Sequence, residues 1–214
     1  MRLLTIVLGV FLSISSVFSQ QDKTAKDILD KSMTVFAGAG GIKSSFSFTL
    51  ENTKSKTNEV FNGNISMKGN KFMIETPDYL AWYDGTNQWV YLKDNNEVNL
   101  TKPDSSDDAQ MINPSVILSM YKKGFSSKYL GEKTVNGKKV SEIELLPQNK
   151  NELKKIVLQI DKENQLPSYI QLQYTNGINN IIKIVKYQLN QQFSDSLFSF
   201  DKKQYPEVDI IDLR

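Results

Sequence analysis

Residues 45–50 read Ser-Phe-Ser-Phe-Thr-Leu, so Phe46, Phe48 and Leu50 occupy every second position of this segment. Because successive side chains of a β-strand point to opposite faces, a period of two predicts a strand with one apolar face and one polar face. The apolar face of a sheet made from such strands must be buried against another layer of the protein.

The same alternation recurs in Phe61, Gly63, Ile65 and Met67, which are separated by polar residues. Further short strands are predicted over residues 71–76, 79–83, 88–92 and 97–101, and a second series begins near residue 128. The strongest hairpin signal between strands is Asn136-Gly137. Short strands separated by turn residues at this spacing favour a sandwich or a barrel.

Two segments have helical rather than strand periodicity. The first runs from Thr24 to about Ala37, where Thr24 and Asp27 resemble a capping box. The second follows Asn113, a good N-cap residue, and ends before Gly124. The polar stripe of this second helix contains only Ser115, Ser119 and Lys122. A helix so apolar on its other sides is expected to be covered by protein or ligand on more than one side.

The predicted fold class is α+β and mainly β. The expected order is a helix, six strands, a second helix and about five further strands. We expect a curled antiparallel sheet that forms a half-open β-barrel, is covered by the two helices, and has an apolar interior. The concave face of a curled sheet has to be filled, and the helices are the candidates to fill it.

The first 19 residues have the pattern of a secretory signal peptide. Arg2 supplies a positive charge, an apolar run follows, and Val17-Phe18-Ser19 supplies small residues at positions −3 and −1. We therefore expect cleavage after Ser19, a single domain over residues 20–214, and a periplasmic location. The apolar run is too short to cross about 30 Å of hydrocarbon comfortably as an uncleaved anchor.

Composition restricts the classes of function. The chain has no Cys and no His, which rules out a disulfide framework, Cys–His or Ser–His nucleophiles, and a His- or Cys-ligated zinc site. Loss of Arg2 with the signal peptide would leave 25 basic and 24 acidic residues, a balance that does not favour nucleic acid as a partner. We expect no cofactor, no metal and no enzymatic activity.

Three groups of residues are candidates for other chemistry. Glu142 and Glu144 lie two positions apart on a predicted strand, a spacing that paired catalytic carboxylates could use, although a solvated strand face is the stronger interpretation. Asp104, Asp107 and Asp108 could contact calcium, but they lack the alternating ligand positions and the glycine of a calcium loop. An aromatic concentration could stack on sugars, form part of an apolar ligand wall, or simply pack the sheet; it consists of Tyr79, Trp82, Tyr83, Trp89 and Tyr91.

Several short motifs occur in a recognisable order. Residues 62–68 read Asn-Gly-Asn-Ile-Ser-Met-Lys, residues 71–74 read Lys-Phe-Met-Ile, and Tyr83-Asp84-Gly85 precedes residues 88–91, Gln-Trp-Val-Tyr. Ile160-Asp161, Leu166-Pro167, Phe198-Ser199-Phe200 and residues 206–209 follow near the end. This arrangement resembles the outer-membrane lipoprotein carrier protein family, LolA, over essentially the whole mature chain, with the helix after Asn113 in the position of that family's lid helix.

The resemblance implies a carrier that shelters acyl chains in its apolar interior. Such a carrier would take acylated lipoproteins from an inner-membrane lipoprotein-releasing ABC transporter and transfer them to the outer membrane or an acceptor there. We expect a monomer whose cavity and lid are formed by Phe46, Phe48, Leu50, Phe61, Ile65, Met67, Phe72, Ile74, Trp89, Tyr91, Ile112, Val116, Ile117 and Met120. The methionines suit a surface that re-packs around varied apolar partners, although they would also suit a solid core.

One departure from the family concerns the lid. Many members carry an arginine just after the lysine that ends the strand of residues 62–68, and this arginine bonds to the lid. Here Lys68 is followed by Gly69. Lys68 or Lys71 could supply the charge, but an ammonium group lacks the planar fork of guanidinium. Three other functions stay open: a lipid-sensing module of the same fold, a polysaccharide-binding β-protein and, most remotely, an enzyme.

Overall fold

The computed structural model describes residues 22–103, 113–150 and 152–214. Within these ranges the chain forms two α-helices and one twelve-stranded sheet. The helices are α1 (Lys23–Gly38) and α2 (Pro114–Ser119). The strands are β1 (Gly41–Asn52), β2 (Thr57–Lys68), β3 (Lys71–Glu75), β4 (Tyr79–Tyr83), β5 (Gln88–Leu92), β6 (Glu97–Thr101), β7 (Phe125–Val135), β8 (Lys138–Pro147), β9 (Leu153–Asp161), β10 (Pro167–Tyr174), β11 (Ile178–Gln188) and β12 (Asp209–Asp212).

The sheet consists of two antiparallel meanders joined side by side. Its strand order is β12-β6-β5-β4-β3-β2-β1-β11-β10-β9-β8-β7. The pairing of β1 with β11 joins the first meander, β1 to β6, to the second, β7 to β11. The last strand, β12, adds to β6 in parallel. The sheet is large, curled and open, because β7 and β12 end it and do not pair with each other. A mainly β fold with a curled antiparallel sheet is thus confirmed.

The predicted strands agree with the observed ones in number and position for the first meander. The predictions for residues 79–83, 88–92 and 97–101 coincide with β4, β5 and β6. The second series contains the five strands expected, and β12 is an additional strand that the sequence pattern did not reveal. All four residues of β12 are exposed, so this strand has no buried face to produce an alternating pattern.

The ends of both helices differ from the predictions. Helix α1 begins at Lys23, and its cap is Asp22 rather than a box of Thr24 and Asp27: the Asp22 carboxylate accepts hydrogen bonds from the backbone N–H groups of Thr24 at 2.9 Å and Ala25 at 3.3 Å. Helix α2 has the predicted Asn113 cap and first-turn proline, but its α-helical part ends at Ser119. A 3-10 turn, Met120–Lys122, completes it.

A hydrophobic cluster lies on one face of the sheet and includes residues of both helices. From the sheet it contains Phe46, Phe48, Ile65, Met67, Phe72 and Ile74 of the first meander, and residues such as Ile143, Leu158 and Ile170 of the second. Ala25 and Leu29 of α1 and Ile117 and Leu118 of α2 belong to the same cluster. The side chains that alternate in sequence are therefore brought to one side by the strand pairing.

The segment after β11 packs on the other face of the sheet. Near the end of α1, the backbone N–H of Gln191 donates a hydrogen bond to the carbonyl oxygen of Gly41 at 2.8 Å. Two rings of this segment then pack against Trp82 of β4, with centroid distances of 5.6 Å to Phe200 and 5.9 Å to Tyr205. The segment ends as β12. The C-terminal residues therefore cover part of the first meander on the face opposite the hydrophobic cluster.

Gly63 of β2 lies directly opposite Phe46 of β1. A Cβ atom at Gly63 would lie 2.6 Å from Cζ of the buried Phe46 ring and 2.9 Å from the backbone oxygen of Glu75. We expect Gly63→Ala to lower the free energy of unfolding by about 1–3 kcal/mol, the usual cost of overpacking. Urea denaturation of the purified protein measures this loss.

The matched control is Gly38→Ala at the end of α1, where an added Cβ atom has no heavy atom within 4 Å. This substitution is expected to be neutral or slightly stabilising, because alanine is the better helix former. Equal unfolding midpoints for the two variants would contradict the close packing of Phe46 on Gly63.

Candidate functional site

A cavity of about 240 Å³ lies between the two helices and the adjoining ends of β1 and β2. Its wall is formed by Met33, Phe36, Ala37, Gly40, Ile42, Met67, Gly69, Ser115 and Leu118. Most of these side chains are apolar and none is charged. The one hydroxyl among them, Ser115 Oγ, already donates to Asn113 Oδ1 at 2.8 Å. The cavity is therefore suited to an apolar group rather than to a charged ligand.

Helix α1 supplies the longest side of the cavity. Met33, Phe36 and Ala37 are three and four residues apart, so they lie on one face of the helix. The start of the helix is bonded to the sheet and its end to the segment that follows β11. At the start, Asp22 accepts from the N–H of Tyr129 in β7 at 2.9 Å, and at the end the carbonyl of Ala39 accepts from Asn190 at 3.0 Å. These bonds fix the position of α1.

Helix α2 forms the opposite side. Ile117 and Leu118 are both fully buried members of the hydrophobic cluster, and Leu118 also contributes to the cavity wall. Val116 is only half-buried and does not belong to the cluster.

The carboxylate of Asp30 connects the two helices. Its Oδ2 lies 2.6 Å from Nζ of Lys26 on the same helix. Its Oδ1 accepts a hydrogen bond from the hydroxyl of Tyr121 and lies 3.2 Å from Nζ of Lys122, both in the 3-10 turn after α2. The hydrogen bonds from Lys26 and Tyr121 outweigh burial and hold the pKa of Asp30 well below 3.8. For Tyr121, burial and the bond to Asp30 raise the pKa of the hydroxyl.

Lys68 and Lys71, the two lysines that could have replaced the arginine of the family, bond to the C-terminal segment. Lys68 Nζ lies 2.9 Å from Oδ1 of Asp195 and donates to the carbonyl of Phe193 at 3.1 Å. Lys71 Nζ lies 3.1 Å from the other oxygen of Asp195. Both lysines therefore hold the C-terminal segment to the sheet, and the polar contact to the turn after α2 is made by Asp30.

Most residues predicted for the apolar site share one face of the sheet. Phe46, Phe48, Ile65, Met67, Phe72, Ile74, Ile117 and Met120 belong to the hydrophobic cluster, and Leu50 and Phe61 pack against it. Of these, Met67 also lines the cavity. Ile112 lies outside the described residues.

Trp89 and Tyr91 do not join that face. Trp89 pairs across the strands with Trp82, whose ring packs on the C-terminal segment, and the ring of Tyr91 lies 5.1 Å from that of Tyr205. The reason is the alternation of β5: Val90, between them, is the residue that packs on the hydrophobic cluster. The interior assignment of these two residues therefore has to be corrected.

The sequence reasoning missed most of the cavity wall. Met33, Ala37, Ile42 and Leu118 line the cavity, but were not among the predicted site residues. The helical period of α1 is the signal that could have identified Met33 and Ala37, because both lie within one turn of Phe36. Ile42 is the first apolar residue of β1 and continues the alternation of Phe46 and Phe48.

The aromatic concentration divides between the two faces of the sheet. Tyr79 and Tyr83 pack on the hydrophobic cluster, whereas Trp82 is 5% exposed beneath Phe200 and Tyr205. The C-terminal segment thus occupies the side of Trp82 on which a sugar ring would have to stack. A continuous open platform of the five aromatic residues is not formed.

The two glutamates of β8 are paired with lysines. Glu142 Oε1 lies 2.6 Å from Lys133 Nζ, and Glu144 Oε2 lies 2.9 Å from Lys155 Nζ. Burial alone would raise the pKa of Glu142, but the hydrogen bonds from Lys133 and Gln159 outweigh it and lower the pKa. Both carboxylates therefore form ion pairs with lysines on one face of the strand.

The described residues contain neither a metal-binding cluster nor a membrane-spanning helix. Among these residues, no group of three or more acidic side chains is arranged to hold a metal ion. Neither helix described here has both the length and the apolar character that crossing a bilayer requires. Asp104, Asp107 and Asp108 lie outside the described residues, as does the predicted signal peptide.

Sequence comparisons identify distant relatives. A family model described as outer membrane lipoprotein carrier protein LolA matches residues 15–176, so its match stops before the motifs at residues 198–209. The sequence is 28% identical over 201 residues to an uncharacterized protein of Methanocaldococcus jannaschii, and the aligned region covers 91% of this chain and 57% of that protein. The chain spans little more than half the length of this curated relative.

The fold is similar to that of solved structures. An uncharacterized conserved protein from Thermus thermophilus has a TM-score of 0.57 at 12% identity, covering 89% of this chain and 99% of that one. A candidate outer membrane lipoprotein-sorting protein domain from Vibrio parahaemolyticus has a TM-score of 0.50 at 12% identity, covering 85% and 98%. At these identities the likeness concerns the fold alone.

The depressed pKa of Asp30 predicts how its contribution to stability depends on pH. A carboxyl group whose pKa is lower in the folded state stabilises the protein above its unfolded pKa of about 3.8 and loses that contribution as the pH falls through the folded pKa. We expect wild type to be more stable than Asp30→Asn at pH 7, with the difference shrinking on acidification to pH 2–3. Urea denaturation across this pH range measures the difference in stability between the two proteins. A difference that does not change with pH would contradict the lowered pKa of Asp30 in the folded protein.

Proposed function

We propose that this chain, which belongs to the outer membrane lipoprotein carrier protein LolA family, is a periplasmic carrier that shelters the acyl chains of lipoproteins between its helices and its curled sheet. The observation that carries the proposal is the uncharged cavity bounded by α1, α2, β1 and β2. Family membership supports the binding of lipid chains, and the apolar wall of the cavity supports this location for them.

The physical need for such a carrier follows from the cost of exposing hydrocarbon to water. Each CH₂ group moved out of water contributes about 0.8 kcal/mol, so an acylated lipoprotein cannot cross an aqueous compartment unshielded. Met33, Phe36, Ile42, Met67 and Leu118 offer an apolar surface to replace the membrane. Methionine is well suited to this role because its flexible side chain adapts to the shape of its partner.

The helices act as the cover of the concave face in this proposal. The hydrophobic cluster that contains residues of α1, α2 and both meanders supports this role. At about 240 Å³, the cavity is smaller than the roughly 300–1,000 Å³ of most small-molecule sites. A lipid with more than one acyl chain therefore requires the helices to separate, and their return on emptying favours release of the cargo.

The proposed route of the cargo is the one that the family suggests. Residues 1–19 would direct export and be removed after Ser19, leaving residues 20–214 as one monomeric domain. The carrier would receive acylated lipoproteins from an inner-membrane lipoprotein-releasing ABC transporter and deliver them to the outer membrane or an acceptor in it. The likeness to the lipoprotein-sorting domain of Vibrio parahaemolyticus is consistent with this role. The proposal needs no cofactor, nucleic acid or catalytic residue.

Filling the cavity should impair binding without unfolding the protein. Ala37 lines the cavity, yet the residue is exposed at its rim, so Ala37→Trp adds bulk without burying a charge. We expect its dissociation constant for a long-chain fluorescent fatty acid to rise about tenfold, equivalent to the loss of roughly two buried CH₂ groups. Fluorescence titration measures this, together with native mass spectrometry of lipid that co-purifies with the protein.

Lys31→Trp is the matched control, because Lys31 is an exposed residue of α1 that does not line the cavity. It should bind the fatty acid like wild type. Failure of the wild-type protein to bind any acyl probe or to co-purify with lipid would refute the carrier proposal. Acyl binding without transfer of lipoprotein to outer-membrane vesicles would favour a lipid-sensing module.

The absence of a catalytic role is tested at β8. Glu142→Gln and Glu144→Gln should leave acyl-chain binding and lipoprotein transfer unchanged, because both carboxylates are engaged in ion pairs with Lys133 and Lys155. Loss of transfer in a variant that retains the wild-type circular dichroism spectrum and binds the acyl probe would instead indicate a chemical role for that carboxylate.

A further inference from the structure

We propose that the outer edge of β12 is a docking site for an extended polypeptide segment in which two β-branched residues are flanked by lysine or arginine. Such a segment would pair with β12 and extend the twelve-stranded sheet by one strand. This inference concerns a protein partner and goes beyond the proposed shelter for acyl chains, so neither proposal depends on the other.

The two edges of the sheet differ in how they are covered. At β7, Asp22 bonds to the edge twice: its N–H donates to the carbonyl of Ser127 at 3.3 Å, and its carboxylate accepts from Tyr129 at 2.9 Å. A bulge next to Gly131 also interrupts the regular pairing of β7 with β8. Strand β12 pairs with β6 without a bulge and has no further neighbour among the described strands. Because natural sheets usually protect their edges, β12 is the edge that is available to a partner.

The backbone of β12 presents unpaired groups on its outer side. Because β12 runs parallel to β6, alternate residues bond to that neighbour. The N–H groups of Asp209 and Leu213 donate to backbone oxygens of β6 or of the residue before it, at 3.2 and 2.8 Å. The N–H and C=O groups of Ile210 and Asp212 therefore point away from β6, where an added strand could bond to them.

The side chains at this edge are apolar although they are exposed. All four residues of β12 are exposed: Ile210 is 45% exposed and Ile211 39%, and Leu213, directly after the strand, is 60% exposed. Ile210 and Ile211 are neighbours in a strand, so they point to opposite faces of the sheet. An added strand would therefore bury apolar surface on both faces, and this burial favours association.

Acidic residues determine which segment fits the edge. Asp209 and Asp212 flank the two isoleucines, and Glu97 of β6 lies beside Asp209. Arg214 forms an ion pair with Asp212 at 2.7 Å, whereas Asp209 and Glu97 have no ion pair with any described residue. Opposite charges on neighbouring strands stabilise the pairing of those strands. A lysine or arginine in the added strand is therefore favoured, above all opposite Asp209.

The same charges disfavour a second copy of this chain as the occupant. If two β12 strands paired antiparallel in full register, Asp209 of each copy would lie opposite Asp212 of the other. Like charges directly opposite each other are destabilising. The sequence Asp-Ile-Ile-Asp thus fits a strand of the pattern basic, β-branched, β-branched, basic. Residues 183–186, Lys-Ile-Val-Lys, have this pattern, but they lie in β11, which already has a strand on each side.

The test uses two capped hexapeptides, Thr-Lys-Ile-Val-Lys-Thr and Thr-Glu-Ile-Val-Glu-Thr, which are added to the isotope-labelled protein. Nuclear magnetic resonance measures both dissociation constants and identifies the amides whose signals shift. We expect the lysine peptide to bind about tenfold more tightly than the glutamate peptide. The largest shifts should occur at the amides of Ile210 and Asp212, and the preference should decrease in high salt because salt screens exposed charges.

Three variants test the charge and the backbone separately. Asp209→Lys should reverse the preference between the peptides. Its matched control is Glu163→Lys, which makes the same change of charge in the exposed turn between β9 and β10 and should bind both peptides like wild type. Ile210→Pro removes an N–H that points away from β6, a change that an edge strand tolerates. Loss of this donor should weaken binding of the lysine peptide about fivefold.

Three results would overturn the proposal, and the first two need no variant. They are a wild-type protein that does not bind the lysine peptide or binds both peptides equally, and signal shifts confined to another part of the protein. The third is a dimer in sedimentation experiments that Ile210→Pro dissociates, because a second copy would then occupy the edge. None of these measurements involves lipid, so their outcome does not affect the carrier proposal.

Discussion

The pairing of β1 with β11 is the contact on which the rest of the structure depends. It places Phe46 beside Ile184 and Phe48 beside Ile182, and so joins the apolar faces of two meanders that are distant in sequence. Without this pairing each meander would expose an apolar face that it cannot cover alone. With it, one continuous curled surface is formed, and α1 and α2 have a common surface to pack on.

Alternation of apolar residues made the sheet predictable, because a period of two can be recognised within a few residues. It also predicted most of the hydrophobic cluster, including Phe72 and Ile74. The same rule explains the error at Trp89 and Tyr91. Their spacing shows that they share a face, but only the register with Trp82 shows which face, and register depends on partners elsewhere in the chain. The exposed strand β12 carried no alternating pattern at all.

The cavity was less predictable than the sheet. Its wall combines residues of α1, α2 and two strands, and their proximity depends on how the helices lie on the sheet. The polar contact between the helices was missed for the same reason. In the sequence Asp30 is one of several charges spaced four apart on α1, and only the position of Tyr121, 91 residues later, distinguishes it from Asp27. Long-range contacts of this kind leave no local pattern.

The distance along the chain between partners has a consequence for how the protein is made. Asp22 fixes α1 by bonding to Tyr129, 107 residues later, and β1 finds its second neighbour only when β11 has been synthesised. Folding rates fall as the sequence separation of contacting residues rises. A nascent chain of this topology therefore remains without its final pairing until nearly all of it has left the ribosome.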